Sequence, residues 1–224
     1  MIDEPNGAMS QPDYASYKSC MEEIKRRQHA IDDILSGNRS TTFKYTNVEF
    51  VALQFRKVFE LIILSTLASN RHLFENLTRK LSKEWQISKV TELVEKKNAD
   101  FYPRPIDRAP TTQGALKDEW KDVQIGYLTL FELTAAHGKI GNLMHAHNPY
   151  KAEIESDAIE NDFPSWRTKT IRLLNNHIVK FPDETVLYVG MQSVETGDVH
   201  MSLFGKVSSI DELEEFQSRL VKAK

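Results

Sequence analysis

The chain has 224 residues, 40% hydrophobic and 27% charged, with a formal net charge of −3 and a single cysteine. That length and balance predict a folded chain with one main core and exclude a fibrous or generally disordered protein. The acidic balance leaves no basis for stable duplex DNA binding, which needs Lys and Arg to neutralise phosphates, and the lone Cys20 excludes an intramolecular disulfide framework.

Residues 1–12 read as a disordered tail. Their polar start, Met-Ile-Asp-Glu-Pro-Asn-Gly, lacks the basic and apolar regions of a signal peptide. The longest apolar run, starting at Leu61, is far short of the roughly 20 residues that span a bilayer. A cytoplasmic protein without a membrane partner is expected. From Asp13 to Leu35, Tyr17, Met21, Ile24, Ile31 and Leu35 follow helical spacing, closed by Ser36-Gly37-Asn38. Thr46 or Asn47 caps the next helix, which runs to about Asn70. Phe50, Val51, Phe55, Val58, Phe59, Ile62, Ile63 and Leu67 surround most of its circumference, so it should be central and buried. A third helical region, Glu75 to about Asn98, mixes Leu77, Leu81, Trp85, Val90, Leu93 and Val94 with many charges. It should lie outside and bend near Ile87-Ser88.

Between Phe101 and Ala115, Pro103, Pro105, Pro110 and Gly114 exclude regular helix and predict an ordered loop or lid. Arg104 and Arg108 on it are either an RNA contact or a solvated connection. A further helix begins near Leu116 or Trp120, continues through Tyr127, Leu130, Phe131, Leu133, Ile140 and Met144, and stops at Pro149. Residues 149–164 are acidic (Glu153, Glu155, Asp157, Glu160, Asp162) and read as a linker. Helix returns at Ser165, with Trp166, Ile171, Leu174 and Ile178 on one face, until Phe181-Pro182-Asp183. Val186–Ser193 and Val199–Val207 flank Glu195-Thr196-Gly197-Asp198 as a hairpin. Two strands need a partner surface, so Tyr188, Met191, Met201 and Phe204 should pack on the helices. Ser209-Ile210-Asp211-Glu212 then opens a last helix. The expected fold is mainly α: a helical bundle over residues 13–148, with a helix, a C-terminal β-hairpin and a terminal helix in 165–224 packed on it, α+β by strict count.

Chemistry concentrates between His137 and Pro149. Three histidines, two glycines and a proline stop are unusual on a helix, and Gly138, Gly141, Asn142 and His145 share one face at about 100° per residue. Each helical glycine costs roughly 1 kcal/mol relative to alanine, which invites a reason such as close approach by another helix or a ligand. His145 can exchange protons near neutral pH. Equally, His137, His145 and His147 can be helix-end residues satisfying free carbonyls, with Asn148-Pro149 as a stop. No third ligand accompanies His145 and His147, so no metal site is expected, and no cofactor. Nucleophile-elbow, P-loop and dinucleotide glycine patterns are missing.

A basic residue, a short spacer and a histidine near the end of a long helix resembles the HEPN superfamily (higher eukaryotes and prokaryotes nucleotide-binding). The ending Met144-His145-Ala146-His147-Asn148-Pro149 is similar to that of HEPN-like bacterial proteins. The resemblance implies a metal-independent ribonuclease or RNA-binding protein in stress or phage defence, acting as a homodimer that pairs two such helices across Gly138 and Gly141. It gives acid–base work on the ribose 2′-hydroxyl to His145 and the scissile phosphate to Lys139, where the family has Arg. Asn142, His147 and Asn148 would line the substrate path. Arg56 and Glu60, one turn apart in the most apolar helix, would orient His145 or bind phosphate, or else form a structural ion pair. Arg172 and His177 carry the literal Arg-spacer-His pattern. The rival expectation is a catalytically silent interaction or regulatory protein that uses the same helical face to homodimerise.

Overall fold

Helix α1 (Tyr14–Leu35) starts where the Asp13 carboxylate accepts from the Ser16 N–H at 2.9 Å, satisfying one of the open donors of the first turn. The computed structural model describes residues 13–74, 86–108, 120–144, 150, 156–193 and 196–205. Tyr17, Met21, Ile24 and Ile31 of α1 are buried against α2 (Lys44–Ser69). The Asp13 N–H donates to the Ala68 carbonyl (3.1 Å) and Arg27 donates to Gln54 (2.7 Å), so the two helices run antiparallel. Val48, Val51, Phe55, Val58, Phe59, Ile62 and Ile63 of α2 are all buried, which makes it the central helix that its pattern predicts. It begins earlier than expected. Thr46 sits inside the first turn, its hydroxyl donating to the Phe43 carbonyl at 2.9 Å, and the Asn47 amide oxygen accepts from the Thr41 N–H at 2.8 Å.

Helix α3 (Ile87–Glu95) starts where a bend is expected and lays Ile87, Val90 and Val94 into the core. Residues 75–85, with Leu77, Leu81 and Trp85, lie outside the described residues. The buried Asn98 amide donates to Asn70 (2.9 Å) and to the Lys180 carbonyl (2.7 Å), tying the ends of α2 and α3 to the sheet. Helix α4 (Leu130–Leu143) starts at a capping box: Thr129 accepts from the Glu132 N–H while the Glu132 carboxylate accepts from the Thr129 N–H. Helices α5 (Ser156–Glu160) and α6 (Phe163–Leu174) follow. Phe163 and Trp166 of α6 meet Phe55 at centroid distances of 5.6 and 5.7 Å, and Trp166 meets Phe59 at 5.9 Å.

The described strands form one antiparallel sheet in the order β2-β1-β3-β4-β5: β1 (Arg104–Arg108), β2 (Trp120–Asp122), β3 (Asn176–Lys180), β4 (Val186–Gly190) and β5 (His200–Phe204). Strand alternation turns Val179, Leu187, Val189 and Leu203 toward the helices, while Ile178 and Tyr188 join Ile106 on the other face. The hairpin β4–β5 is as expected, with Gly197 at φ +72 in its connection.

Four expectations are corrected. Residues 104–108, read as loop, are a strand: the Pro105 carbonyl accepts from the Val123 N–H at 3.1 Å on the β2 side, so the N–H that the proline lacks is not one that the pairing with β3 uses. Trp120 opens no helix but lies in β2, stacked on Tyr188 at 5.8 Å; the helix waits for Thr129. The helix read to Phe181 ends at Leu174, because His177-Ile178-Val179 pair with β4 instead. The acidic linker holds α5 and the start of α6, since Ile159 and Phe163, one turn apart, are buried. The hairpin side chains also divide: Met191 and Met201 pack on the main core, while Tyr188 and the half-exposed Phe204 face outward with Trp120. The last helix from Ser209 lies outside the described residues, as does the tail 1–12. Among the described residues no helix is long and apolar enough to cross a membrane.

Candidate functional site

The long apolar helix α2 carries Arg56 and Glu60 on the edge that leaves the core, one turn apart. Arg56 Nε donates to Glu60 Oε1 at 3.1 Å, and both side chains stay about one third accessible, 31% and 28%. A third member comes from α4. His137 Nε2 lies 3.1 Å from the same Glu60 oxygen, with its side chain 16% exposed. The ionised carboxylate can only accept, so Nε2 donates to it, and the other ring nitrogen, Nδ1, has no partner among the described residues.

Electrostatics support that arrangement. The hydrogen bond from His137 holds the Glu60 carboxyl below its ordinary range; the Arg56 charge adds to this and partial burial opposes it. Glu60 thereby fixes both partners: it aligns the imidazole from one side and the guanidinium through Nε. The two terminal nitrogens of Arg56 keep no partner among the described residues. One of them, Nη1, would stand 3.4 Å from a Cβ placed on Gly141. A Cβ at 141 would thus touch the guanidinium at ordinary contact distance, and only a bulkier side chain would push it from the α4 backbone.

A carboxylate-oriented imidazole beside a partly free guanidinium is suited to acid–base chemistry on a phosphodiester: the base takes a proton and the fork holds phosphate oxygens. Among the described residues no group of His, Cys, Asp and Glu side chains is arranged to hold a metal ion.

No family model, curated protein or solved structure matches this chain.

Of the residues expected from the sequence, Arg56 and Glu60 come together, and Lys139 stands elsewhere. Its ammonium donates to Asp162 at 2.6 Å and to the Ala158 carbonyl at 3.1 Å, so it clamps α4 to α5 and α6 rather than facing Arg56. Asn142 occupies the last turn of α4. His145, His147 and Asn148 lie outside the described residues. The Arg172–His177 pattern dissolves: Arg172 forms a forked pair with Asp107 at 3.0 and 2.9 Å, while His177 is fully buried in β3 and bonded to Tyr17 at 2.7 Å. Arg104 of the expected lid faces Asp122 at 3.3 Å. His137, read as a helix-end residue, instead stands mid-helix and meets Glu60. One signal could have found it: the Thr129-x-x-Glu132 box fixes the start of α4 and puts His137 and Gly141 on one face.

Proposed function

We propose that this protein is HEPN-like and acts on RNA, as a metal-independent endoribonuclease whose acid–base and phosphate-holding groups are His137 and Arg56. The observation that carries this reading is the convergence of Arg56, Glu60 and His137 from two helices, with Arg56 against Gly141. His137 Nδ1 takes the proton of a ribose 2′-hydroxyl, whose oxygen attacks the adjacent phosphorus. Glu60 stabilises the imidazolium that results. Arg56 holds the non-bridging oxygens as charge gathers on them. The phosphorus–O5′ bond breaks, leaving a 2′,3′-cyclic phosphate, and the 5′ oxygen takes its proton from water. A cytoplasmic location and a role in RNA-linked stress or phage defence belong to the same reading.

The test is incubation of the purified protein with total RNA and tRNA in EDTA. The expected result is discrete cleavage with cyclic phosphate ends, lost or weakened in His137→Ala. Intact RNA, together with no retardation of tRNA in a native gel, removes the reading.

A second reading, a homodimeric interaction or regulatory protein, has its own observation. On α4, Phe131 is 83% exposed and Gly138, two turns on, has nothing within 4 Å of an added Cβ. Thr134 and Ala135 between them are also exposed, giving a face of small residues with one aromatic. Gly138→Leu tests it cleanly, because Gly141→Leu would push on Arg56 instead. In a monomer Gly138→Leu should raise stability by up to about 1 kcal/mol through helix propensity. If two copies meet on this face, the mass by light scattering should halve; a wild-type mass unchanged by the substitution counts against this dimer.

A further inference from the structure

The inner face of the sheet packs into the main core, and the outer face is apolar as well. Strand alternation puts Ile178 of β3 and Tyr188 of β4 there, buried together with Ile106 of β1, and Trp120 of β2 and Val186 of β4 pack against them. Trp120 also meets Phe204 edge-on at a centroid distance of 5.0 Å. Phe204 closes the edge strand β5 and is 46% exposed, so the apolar surface runs from β2 to the point where the chain leaves the sheet. Among the described residues, every apolar side chain packed on this face comes from a strand and none from a helix. A sheet that is apolar on both faces needs a second layer to bury the open one. On the same face, at the end of β3, the Lys180 ammonium has no carboxylate partner among the described residues.

The chain beyond Gly205 carries a segment that fits this face. At about 100° per residue, Ile210, Leu213, Phe216, Leu220 and Val221 fall within roughly 140° of one another, with Glu212 and Glu214 on the two borders of the stripe and Glu215 opposite it. The lengths agree. Residues 209–221 measure about 20 Å as a helix at 1.5 Å per residue, and the sheet is about 19 Å wide from β5 to β2 at roughly 4.8 Å per strand. Lys206-Val207-Ser208 extend to about 10 Å, enough to lift the chain from the edge strand onto the face. A second copy of the chain is the poorer occupant, because the tail leaves the sheet beside the surface to be covered and so short a tether favours the contact within one chain.

We propose that residues 209–221 fold back as a helix over the outer face of the sheet, covering Trp120, Tyr188 and Phe204 with Leu213 and Phe216 and pairing Glu212 or Glu214 with Lys180. The terminal helix then packs on the sheet and not on the helical bundle, and the aromatic face is closed within the chain. The test is photo-cross-linking of the full chain, with Phe216→p-benzoylphenylalanine on the apolar stripe and Glu215→p-benzoylphenylalanine on the opposite side. The first should give a monomer-sized product whose link maps to Trp120 or to residues 186–204, and the second should give little. A second measurement needs no bulky reporter. Leu213→Asp with Phe216→Asp should lower Tm by about 5 °C or more. The same pair introduced beside Phe204→Asp should lower it by less than about half as much, because the surface they cover is already disrupted. Links to the helices, dimer-sized links or no link from position 216 each overturn the proposal. So does a Tm that the double substitution leaves unmoved, or moves equally with and without Phe204→Asp.

Discussion

His137→Ala is expected to lower RNA cleavage by a factor of about 10²–10⁴, the usual loss when a general base is removed. Binding of tRNA should change little, because the imidazole acts on the 2′-hydroxyl and not on the bulk of the phosphate charge. Arg56→Ala should cost about 10²–10³ in rate, as for a lost oxyanion donor, and weaken binding as well. Arg56→Lys should recover part of this, since a lysine restores the charge but not the planar fork that Glu60 holds through Nε. Glu60→Gln removes the charge opposite the imidazolium and should lower the rate while leaving both neighbours in place. Lys139→Ala is the contrast. Its pair with Asp162 is about 40% exposed on both sides, so its loss should cost no more than about 1 kcal/mol of stability and leave cleavage near the wild-type rate. Single-turnover rates on tRNA, with Tm measured for each variant, read the whole series. Full activity in His137→Ala, or its abolition in Lys139→Ala, would return the site to the Lys139 end of the helix.

That contrast follows from what can and cannot be read along a chain. Arg56 and Glu60 were legible because two opposite charges one turn apart in an otherwise apolar helix require each other. The approach of His137 to Glu60 spans 77 positions and depends on how α4 packs on α2, which no local pattern encodes. The helices α1 and α2 were legible for the same reason as the pair: their apolar residues recur at a helical period, and tertiary packing agrees with it. The strands β1, β2 and β3 were not. Ile171, Leu174 and Ile178 mimic a helical face, yet Ile178 ends on the outer side of the sheet because pairing with Tyr188 decides its conformation. Trp120 reads as the start of an apolar helix until Tyr188 and Phe204 are seen beside it. In each case a short strand owes its existence to pairing partners, near for Ile178 and Tyr188 and distant for Trp120 with Tyr188 and Phe204, that its own apolar pattern does not show.

Acidification from pH 7 toward pH 4 is expected to remove about 3 kcal/mol of stability through His177 alone. The ring lies fully buried between α1 and the sheet, and burial lowers its pKa from 6.5 to about 4, against a smaller upward pull from the Leu174 carbonyl. Nδ1–H donates to that carbonyl at 2.8 Å, which leaves Nε2 to accept the Tyr17 hydroxyl at 2.7 Å. Above pH 6.5 the ring is neutral whether the chain is folded or not, and this stability is fully present. Between 6.5 and about 4 the unfolded chain takes up a proton that the native protein refuses, so stability falls with pH. At roughly 1.4 kcal/mol per pH unit, that gap gives the stated loss. Asp13, Glu23, Glu60 and Glu132, whose carboxyls are held below their ordinary values, add their losses only as the pH falls through the carboxylate range. The interval from about pH 6.5 to 5 therefore belongs mainly to the histidine. His177→Leu alone would take the imidazole acceptor from the Tyr17 hydroxyl, which keeps Ser65 beside it, at a cost of no more than about 1–3 kcal/mol at neutral pH, whereas the double substitution Tyr17→Phe with His177→Leu removes donor and acceptor together. Urea midpoints measured across this interval should slope steeply for the wild type and flatten in the double variant. Equal slopes would mean that His177 is protonated in the native core, and that the contact with Tyr17 tolerates the charge.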